Sequence, residues 1–531
     1  MMHRLANWLR SGRAESKLVP APTSEEWQAL EKALAEHDFA SLLPRLRAWC
    51  MLAERDTGVL EETARRNGFS DIDLNKIGIM FAYYSGDVQS AFDRGQIHLQ
   101  SHGFDQDLHL MSLASLYQGS QFEVAHAYLQ RLGTAELAQM LRADYWHLVA
   151  AICWANNDMA RLEQAIDRAL ELAADDGALL ETALGMYIEL GAQEKVQTVR
   201  ARLAQSTHAG GFTHSLSLLA LGEKEQGWRL MEGRFDVDET HLYINPGLRS
   251  YPRWKGEPLS GKRLLVSTEQ GLGDTIQMAR YLDLLQSLGP GKIVMEAQLE
   301  TLPLLQYNFP SIPVVESRWG QAPPLEFDLW IGMMSLPFLL KAWKNNAPGR
   351  DGYLRVPPEN ARYWEERIGR AVAGQRPKVG LAWSGQPRHR SDRRRSIPFE
   401  LMMRYVRGLP VSFFALQTYV PQVLPANVIN VSEEMITLAD TAALIEQMDM
   451  VITVDTSVVH IAGALGKETW LLLPKRYEWR WGLEGEQNDW YDSVKVFRQI
   501  EHANWAAVLQ DVFEHRLPEQ FKLLTLPKDG Q

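Results

Sequence analysis

An aspartate stands in a glycine-rich turn at residues 267–281, which read STEQGLGDTIQMARY. The turn follows an apolar run and precedes a helical pattern, as the phosphate loop of a dinucleotide fold would. That loop needs a third glycine for close helix packing, and Ile276 occupies its position. Asp274 stands where helix amides would hold a phosphate, which its charge would repel. The acid therefore calls for a chemistry other than dinucleotide binding.

A basic loop follows a second apolar run, in KVGLAWSGQPRHRSDRRRSIP at residues 378–398. Small residues at a strand end let backbone amides approach an anion, and clustered guanidinium groups clamp phosphate oxygens. A pyrophosphate is the expected guest; a solvated basic loop is the alternative. The candidate donor residues here are Ser384, Gly385, Arg388, Arg394 and Arg395, in a run that also contains His389, Arg390 and Arg393.

A third loop follows the apolar run MVITV and leads into a helix, in MVITVDTSVVHIAGALGK. The candidate ligand groups are Asp455, Thr456, Ser457 and His460, joined by Gln417, which directly follows the apolar run SFFAL. Asp455 or Thr456 could equally be a helix N-cap, and His460 could be a structural histidine. Gly466 and Lys467 do not form a Walker loop, because an earlier glycine and a following Ser or Thr are missing.

These loops all lie in the second half of the chain, where short apolar runs alternate with helical stretches. Strands that alternate with helices predict parallel sheets whose ligands bind at the carboxyl ends of the strands. We expect two Rossmann-like domains facing a cleft, at residues 261–350 and 376–531. Segments rich in Gly and Pro predict linkers at residues 236–260 and 351–375.

The first half predicts an all-α domain at residues 23–235, after an extension at residues 1–22. Thr23 and Glu26 form a capping box. Turns recur at spacings of 33, 38, 34 and 31 residues, near Gly86, Gly119, Asn157, Gly191 and Gly222. Such a period resembles the tetratricopeptide repeat, a solenoid with a groove for a peptide or protein surface; a helical bundle without a partner is the alternative. Five residues after each turn, close packing is predicted at Ala91, Val124, Leu162, Val196 and Gly227.

Composition bounds the class of protein. A chain of 531 residues predicts two to four domains, and 46% hydrophobic with 23% charged residues is typical of a soluble globular protein. The net charge of -11 argues against nucleic acid as a main partner. With only Cys50 and Cys153, no membrane span and no signal-peptide pattern, we expect a cytoplasmic location. Leu5, Trp8 and Leu9 predict a short helix that is docked or frayed, or that touches a membrane.

Taken together, EQGLGDTIQMARY, LAWSG with RRRSIP, and LADTAALIEQMDMVITVDTSVVHIAGALGK with WLLLP resemble the heptosyltransferase-like glycosyltransferases of bacteria. The resemblance covers roughly residues 255–510 and is closest to the branch with tetratricopeptide repeats before the transferase. It implies the two-domain GT-B fold, with the acceptor bound mainly by the first half and a nucleotide-sugar by the second. Some relatives with repeats are thought to glycosylate proteins such as flagellin.

The resemblance also implies roles for the turn at residues 267–281. Its Gly-Asp pair supplies a proposed general base, which here is Asp274, on an acceptor side formed with Gln270, Gly271 and Gly273. A helix N-terminus stabilises a carboxylate and weakens it as a base, so a cap or substrate-orienting role for Asp274 stays open. Glu269 is the reserve base.

Metal-independent transfer without a cofactor is expected. The Asp-x-Asp pairs at residues 71–73 and 236–238 do not follow a Rossmann-type strand, and no HExxH or paired Cys-x-x-Cys occurs. Three alternatives remain: a heptosyltransferase acting on lipopolysaccharide or another glycolipid, a non-catalytic repeat scaffold, and a dinucleotide oxidoreductase that uses Glu296.

Overall fold

The computed structural model divides the chain into two compact units, Met1–Ala209 and Gly210–Gln531. It describes residues 65, 71–84, 87–206, 211–235, 244–344, 347–371, 376–386, 392–420, 422–475 and 478–522. The predictions for the extension at residues 1–22, the capping box at Thr23 and the thiol of Cys50 lie outside these ranges.

The described part of the first unit is helical, as predicted. Its helices are α1 (Asp71–Tyr84), α2 (Val88–His102), α3 (Gln106–Gln118), α4 (Phe122–Arg131), α5 (Thr134–Ala138), α6 (Ala143–Ala155), α7 (Met159–Leu172), α8 (Gly177–Leu190) and α9 (Gln193–Gln205).

Four of the predicted turns separate consecutive helices, and the fifth, at Gly86, lies outside the described residues. Ser120, Asn157 and Gly191 have the positive φ angles of tight turns, and Gly222 does the same in the second unit. An aspartate then begins the next helix at Asp87 and Asp158, where each side chain accepts a hydrogen bond from a backbone amide of the first turn.

The predicted packing positions after these turns are buried at Ala91, Leu162 and Val196. Gly227 is buried as well, and a Cβ there would lie 2.7 Å from Leu219 Cγ. The prediction is wrong for Val124, which is 42% exposed because Ala125 takes the inward position one residue later.

The second unit begins with helices α10 (Phe212–Ala220) and α11 (Lys224–Met231) and then forms two sheets. The first has the order β3-β2-β1-β4 and the second β10-β9-β8-β5-β6-β7, and every strand pair is parallel. The strands are β1 (Arg263–Ser267), β2 (Lys292–Ala297), β3 (Val314–Glu316), β4 (Leu329–Gly332), β5 (Lys378–Ala382), β6 (Ser412–Ala415), β7 (Val428–Asn430), β8 (Met450–Val454), β9 (Thr469–Leu473) and β10 (Val494–Arg498).

Helices cover these sheets between the strands. They are α12 (Leu272–Ala279), α13 (Leu282–Gln286), α14 (Leu302–Asn308), α15 (Leu336–Leu339), α16 (Pro358–Ala371), α17 (Asp392–Arg395), α18 (Phe399–Val406), α19 (Leu438–Glu446), α20 (Ser457–Ala464), α21 (Trp505–Gln510) and α22 (Leu517–Phe521). The strand order of the second sheet changes direction between β5 and β8. Such a switch point opens a crevice at the carboxyl ends of the two strands.

Two features differ from the sequence prediction. Strands β3 and β10 were not predicted, because both lie at sheet edges and only some of their residues are buried. Helix α16 lies inside the predicted linker at residues 351–375 and packs on α19, where Asn360 Nδ2 donates to Asp440 Oδ1 at 2.8 Å.

The helix pair α10–α11, which the repeat pattern assigns to the first domain, belongs to the second unit. Trp228 on α11 is buried against Trp479 and Trp490, with ring centroids 5.3 and 6.5 Å away. Three residues beyond the helix, Arg234 forms a buried ion pair with Glu269. The first unit therefore ends at Ala209, which is 26 residues before the predicted domain end at residue 235.

Candidate functional site

The turn after β1 presents Asp274 at the third position of α12. Gln270 has a positive φ angle, and Gly271, with extended backbone, is the N-cap. Asp274 Oδ2 accepts a hydrogen bond from Gly271 N at 3.0 Å, so the carboxylate caps its own helix. Its side chain is 16% exposed. The capping alternative is therefore observed, while the role of Asp274 as a base stays a prediction.

Glu269 is held away from this role. Its fully buried side chain accepts hydrogen bonds from Arg234 Nε at 2.7 Å and Nη2 at 2.8 Å, and from Met334 N at 3.1 Å. Gly332 provides the room, since a Cβ there would lie 1.8 Å from Glu269 Oε1. The observed contacts of Glu269 are therefore structural.

The oxidoreductase reading depends on Glu296, which is fully buried. Ser267 Oγ donates to its carboxylate at 2.6 Å and Asn245 Nδ2 at 3.2 Å, while burial raises the pKa of Glu296. A carboxyl group enclosed in this way is not placed to bind a ribose hydroxyl.

Gln417 holds the loop after β5 in place through hydrogen bonds. Gln417 Oε1 accepts from the backbone amides of Trp383 and Ser384, at 2.9 and 3.2 Å, and its Nε2 donates to Ser384 Oγ at 2.8 Å. All four side-chain hydrogen bonds of Gln417 to described residues go to this loop. Gln417 therefore positions Ser384, which is partly exposed.

Arg395 connects this loop to the one after β8. Its Nη1 donates to the carbonyl of Asp455 at 2.9 Å, and its Nε donates to Asp392 Oδ1 at 3.2 Å. A Cβ at Gly385 would lie 2.4 Å from Arg395 Nη2, so the guanidinium crosses the backbone where only glycine leaves room. Arg394 is buried in the same short helix, and Arg388 lies outside the described residues.

The loop after β8 ends at Thr456, the N-cap of α20, whose hydroxyl accepts from Val458 N at 3.3 Å. Ser457 begins the helix and is partly exposed. His460 is buried: its Nδ1 lies 3.0 Å from Tyr491 Oη and its ring stacks on Trp481 at 5.5 Å. Burial lowers the pKa of His460 well below its usual value, and the ring is held between Tyr491 and Trp481.

The two sheets bring the starts of α12 and α20 into contact. A Cβ at Gly273 would lie 2.7 Å from His460 Cδ2 and 3.4 Å from Ser457 Cα. The sequence interpretation placed Gly273 on the acceptor side. The space beside Gly273 is instead occupied by α20, a helix of the second sheet. Asp274, one residue later, faces the second half of the unit.

Sequence reasoning missed Arg480, which joins the two halves of the second unit, each of which is formed by one sheet and its helices. Its Nη2 donates to Asp274 Oδ1, its Nε to Gln277 Oε1 at 2.8 Å, and its Nη1 to Glu478 Oε1 at 2.5 Å. Its side chain is 11% exposed. The alternation of charged and aromatic residues in EWRW at residues 478–481 was the available signal, but its partner on α12 lies 206 residues away.

Charge in this cluster is unbalanced. Asp274, Asp455 and Glu478 surround Arg480, with Arg395 on the far side of Asp455. Burial raises the pKa of Glu478 to about 7, against the opposing charge of Arg480. Burial also raises the pKa of Asp455, and the positive charges of Arg480 and Arg395 only partly oppose this shift.

A cavity of about 700 Å³ lies beside Arg480. Aromatic side chains from α11, from the first sheet's half and from residues 479–490 line it, with charged groups between them. The indole rings are those of Trp228, Trp343, Trp479, Trp481 and Trp490. A concave site with apolar walls and a few polar groups suits an organic ligand.

The described residues contain one group of three metal-ligand types, formed by His126, Cys153 and Asp158 in the helical unit. Asp158 caps α7 and lies 2.9 Å from His126 Nε2. Burial raises the pKa of the Cys153 thiol to about 12, which disfavours the thiolate that a metal would need. We interpret this group as a contact between helix pairs.

Within the described ranges, no helix has both the length and the apolar character required to cross a bilayer.

The fold and site define a protein with a helical unit and two parallel α/β sheets, whose strand-end loops meet around an acid and two arginines. No protein-family model matches the chain. Protein FlbA of Caulobacter vibrioides is 26% identical over 401 residues, which are 68% of this chain and 65% of that protein. The chain thus spans just under two thirds of the length of this relative.

Three solved structures are similar to parts of the chain. A family 9 glycosyl transferase from Veillonella parvula matches 52% of this chain and 93% of its own, at 11% identity and a TM-score of 0.35. The ADP-heptose lipopolysaccharide heptosyltransferase II of E. coli matches 49% and 97%, at 14% identity and 0.34. An O-GlcNAc transferase from Thermobaculum terrenum matches 77% and 84%, at 11% identity and 0.30. TM-scores of this size do not establish a shared fold.

Proposed function

We propose that this chain is a glycosyltransferase that moves a sugar from a nucleotide-sugar to a hydroxyl group of a protein. The observation that carries the proposal is the contact between the two helix starts. It brings Asp274, which accepts a hydrogen bond from Arg480, close to the start of α20, and Arg395 contacts the loop just before that helix at the carbonyl of Asp455. An acid close to anion-binding groups suits transfer from a phosphate to an alcohol.

The reaction assigns each group a task. The acceptor oxygen attacks the anomeric carbon, its proton passes to Asp274, and the bond from that carbon to the donor phosphate breaks. The negative charge then gathers on the leaving phosphate. Backbone amides at the start of α20 and the side chains of Arg394 and Arg395 are proposed to stabilise it, without a metal ion or cofactor.

The helical unit supplies the proposed protein specificity. Its paired helices, the positive φ angles at its turns and the buried positions after them support a tetratricopeptide-like solenoid. We propose that this unit recruits the acceptor protein, with flagellin as the first candidate, and that the reaction takes place in the cytoplasm. The motif resemblance at residues 255–510 supports the GT-B class of transferase.

Intact-mass analysis of flagellin and other surface proteins tests the proposal, in cells with the wild-type chain, without it, and with Asp274→Asn. We expect a sugar-sized mass shift that is present in the first cells and absent from the other two. Unshifted proteins together with an altered lipopolysaccharide would instead identify a glycolipid transferase. No change in either would leave a non-catalytic scaffold.

A further inference from the structure

Arg480 links the two halves of the second unit through its hydrogen bonds. All three guanidinium nitrogens donate hydrogen bonds, to Asp274, Glu478 and Gln277. Its backbone amide donates to Glu478 Oε2 at 2.8 Å, which fixes the turn that presents the side chain. The carboxylates of Asp274 and Glu478 hold this guanidinium tightly as long as no phosphate group competes for it.

The same guanidinium borders the proposed donor site. Its charge acts on Asp455, which directly follows β8, and on His460 in α20. The next residue, Trp481, stacks on His460, so the chain carrying Arg480 lies against the helix that begins at Ser457. Arg395 reaches the carbonyl of Asp455. The two arginines therefore flank the loop after β8.

This position creates a competition. The Oδ2 atom of Asp274 accepts from Gly271 N, and its Oδ1 accepts from Arg480. An oxygen that already accepts a hydrogen bond from a guanidinium is not available to an acceptor hydroxyl. A phosphate group at the α20 N-terminus would attract the guanidinium and could bind it with a forked pair of hydrogen bonds.

We propose that Arg480 is a positioning residue that exchanges partners, holding Asp274 in the donor-free protein and contacting the phosphate of a bound nucleotide-sugar. This inference rests on the proposed glycosyl transfer and adds an order to it. Donor binding draws Arg480 away, and Asp274 then becomes free to take the acceptor proton. Glu478 and Asp455 keep the guanidinium within the cleft in both states.

Calorimetric titration with ADP, GDP, UDP and CMP tests the exchange without requiring transfer. The nucleotide that the wild type binds most tightly is then titrated into Arg480→Ala, Asp274→Asn and the double variant. Arg480→Ala should weaken binding about tenfold or more, the effect of losing one charge-assisted hydrogen bond. Asp274→Asn should tighten nucleotide binding about twofold to fivefold, because the guanidinium no longer has to give up one ion pair, which is worth up to about 1 kcal/mol.

The double variant distinguishes exchange from simple repulsion. If Asp274 acts through Arg480, Asp274→Asn changes nothing once Arg480 is absent. If Asp274 instead repels the phosphate directly, Asp274→Asn tightens nucleotide binding equally with and without Arg480. That result overturns the proposal. Unchanged affinity in Arg480→Ala overturns it as well, while leaving the proposed function intact. A wild type that binds none of the four nucleotides removes both.

Two further variants protect the test. Arg367→Ala removes an ion pair with Glu434 on the same unit, away from these loops, and should leave affinity unchanged. Arg480→Lys keeps the charge if Arg480→Ala fails to fold. Since it loses the planar fork, it should still weaken binding about threefold or more, and wild-type affinity in this variant contradicts the exchange.

Discussion

At the scale of single residues, Asp274 combines two roles that the sequence had left as alternatives. One oxygen caps α12 and the other accepts a hydrogen bond from Arg480. A cap and a base make different demands, because a cap contributes to stability and a base to the rate. Asp440 offers a comparison, since it caps α19 by accepting from Thr437 N at 2.9 Å.

Replacing Asp274 with Asn should lower turnover by about 10²–10⁴-fold, the usual effect of losing a general base. Asn retains the size of Asp, so the loss of stability should stay within the range of a cap, about 0.5–2 kcal/mol. Asp440→Asn should show a similar change in melting temperature with near wild-type turnover. Sugar transfer at the wild-type rate in Asp274→Asn would leave that residue as a cap.

His147 is a fully buried histidine in α6, and neither ring nitrogen has a hydrogen-bond partner among the described residues. Burial lowers its pKa to about 3. A folded-state pKa below the unfolded value of about 6.5 contributes stability above pH 6.5, and this is lost as pH falls toward 3.

His147→Leu should therefore make α6 less sensitive to acid. Between pH 6.5 and 4.5 the wild type should lose up to about 2.7 kcal/mol through this group, from 1.36 kcal/mol per pKa unit. Hydrogen exchange of the amides in residues 143–155, corrected for intrinsic rates, measures the loss. The exposed His515 is the control, and equal acid sensitivity in wild type and His147→Leu would contradict the account.

At the scale of elements, the helix pair α10–α11 shows how packing overrides a repeat. Its spacing continues the pattern of the first unit, but Trp228 and Arg234 pack into the second. Arg234 contributes a buried guanidinium that Glu269 neutralises and Ser335 also contacts, at 2.7 Å. The loop that leads to Asp274 therefore depends on an element 35 residues earlier.

Arg234→Ala should destabilise the second unit by about 3–5 kcal/mol, because it leaves the carboxylate of Glu269 buried without its partner. Arg234→Met combined with Glu269→Gln should recover most of that loss. Denaturant unfolding gives both values. Arg229→Ala removes an exposed ion pair with Glu225 and should cost no more than about 0.5 kcal/mol. Equal losses in Arg234→Ala and Arg229→Ala would show that burial is unimportant here.

The loops after β5 and β8 meet at the switch point of the second sheet, where the proposed donor phosphate binds. Arg394→Ala with Arg395→Ala should weaken nucleotide binding at least tenfold, since charge-assisted hydrogen bonds contribute about 1.5–3 kcal/mol each. Calorimetry measures the change, with Arg367→Ala as the matched control. Unchanged affinity would place the donor elsewhere.

At the scale of the whole molecule, the unit boundary separates two proposed tasks. Residues 211–531 contain both sheets, the tryptophan-lined cavity and the Asp274–Arg480 contact. The helices described before residue 210 contribute none of these groups. Donor binding and acceptor recognition should therefore be separable along the chain.

A chain that begins at Gly211 should bind nucleotide as the full chain does and lose modification of the protein acceptor. A chain that begins at Asp236 should be unstable as well, because it lacks both Trp228 and Arg234. Melting temperature, calorimetry and acceptor mass measure the three properties. Full-rate modification of the acceptor by residues 211–531 would assign the helical unit another role.

Local patterns in the sequence determined much of this protein. The apolar runs at residues 263–267, 378–382 and 450–454 are buried parallel strands, and the turn before Asp274 starts a helix. These features depend on neighbours a few residues away, whose spacing is visible in the chain. The repeat turns were visible for the same reason.

Only the tertiary structure decided which strand-end groups meet. Arg480 finds Asp274 across 206 residues, and Glu269 is taken by Arg234 across 35. The need for a glycine at position 273 likewise comes from His460, which packs against it from a helix of the other sheet. Contacts between distant segments arise from sheet order and helix packing, which no local pattern encodes. The candidate residues were therefore readable from the sequence, but the partners that set their charge and access were not.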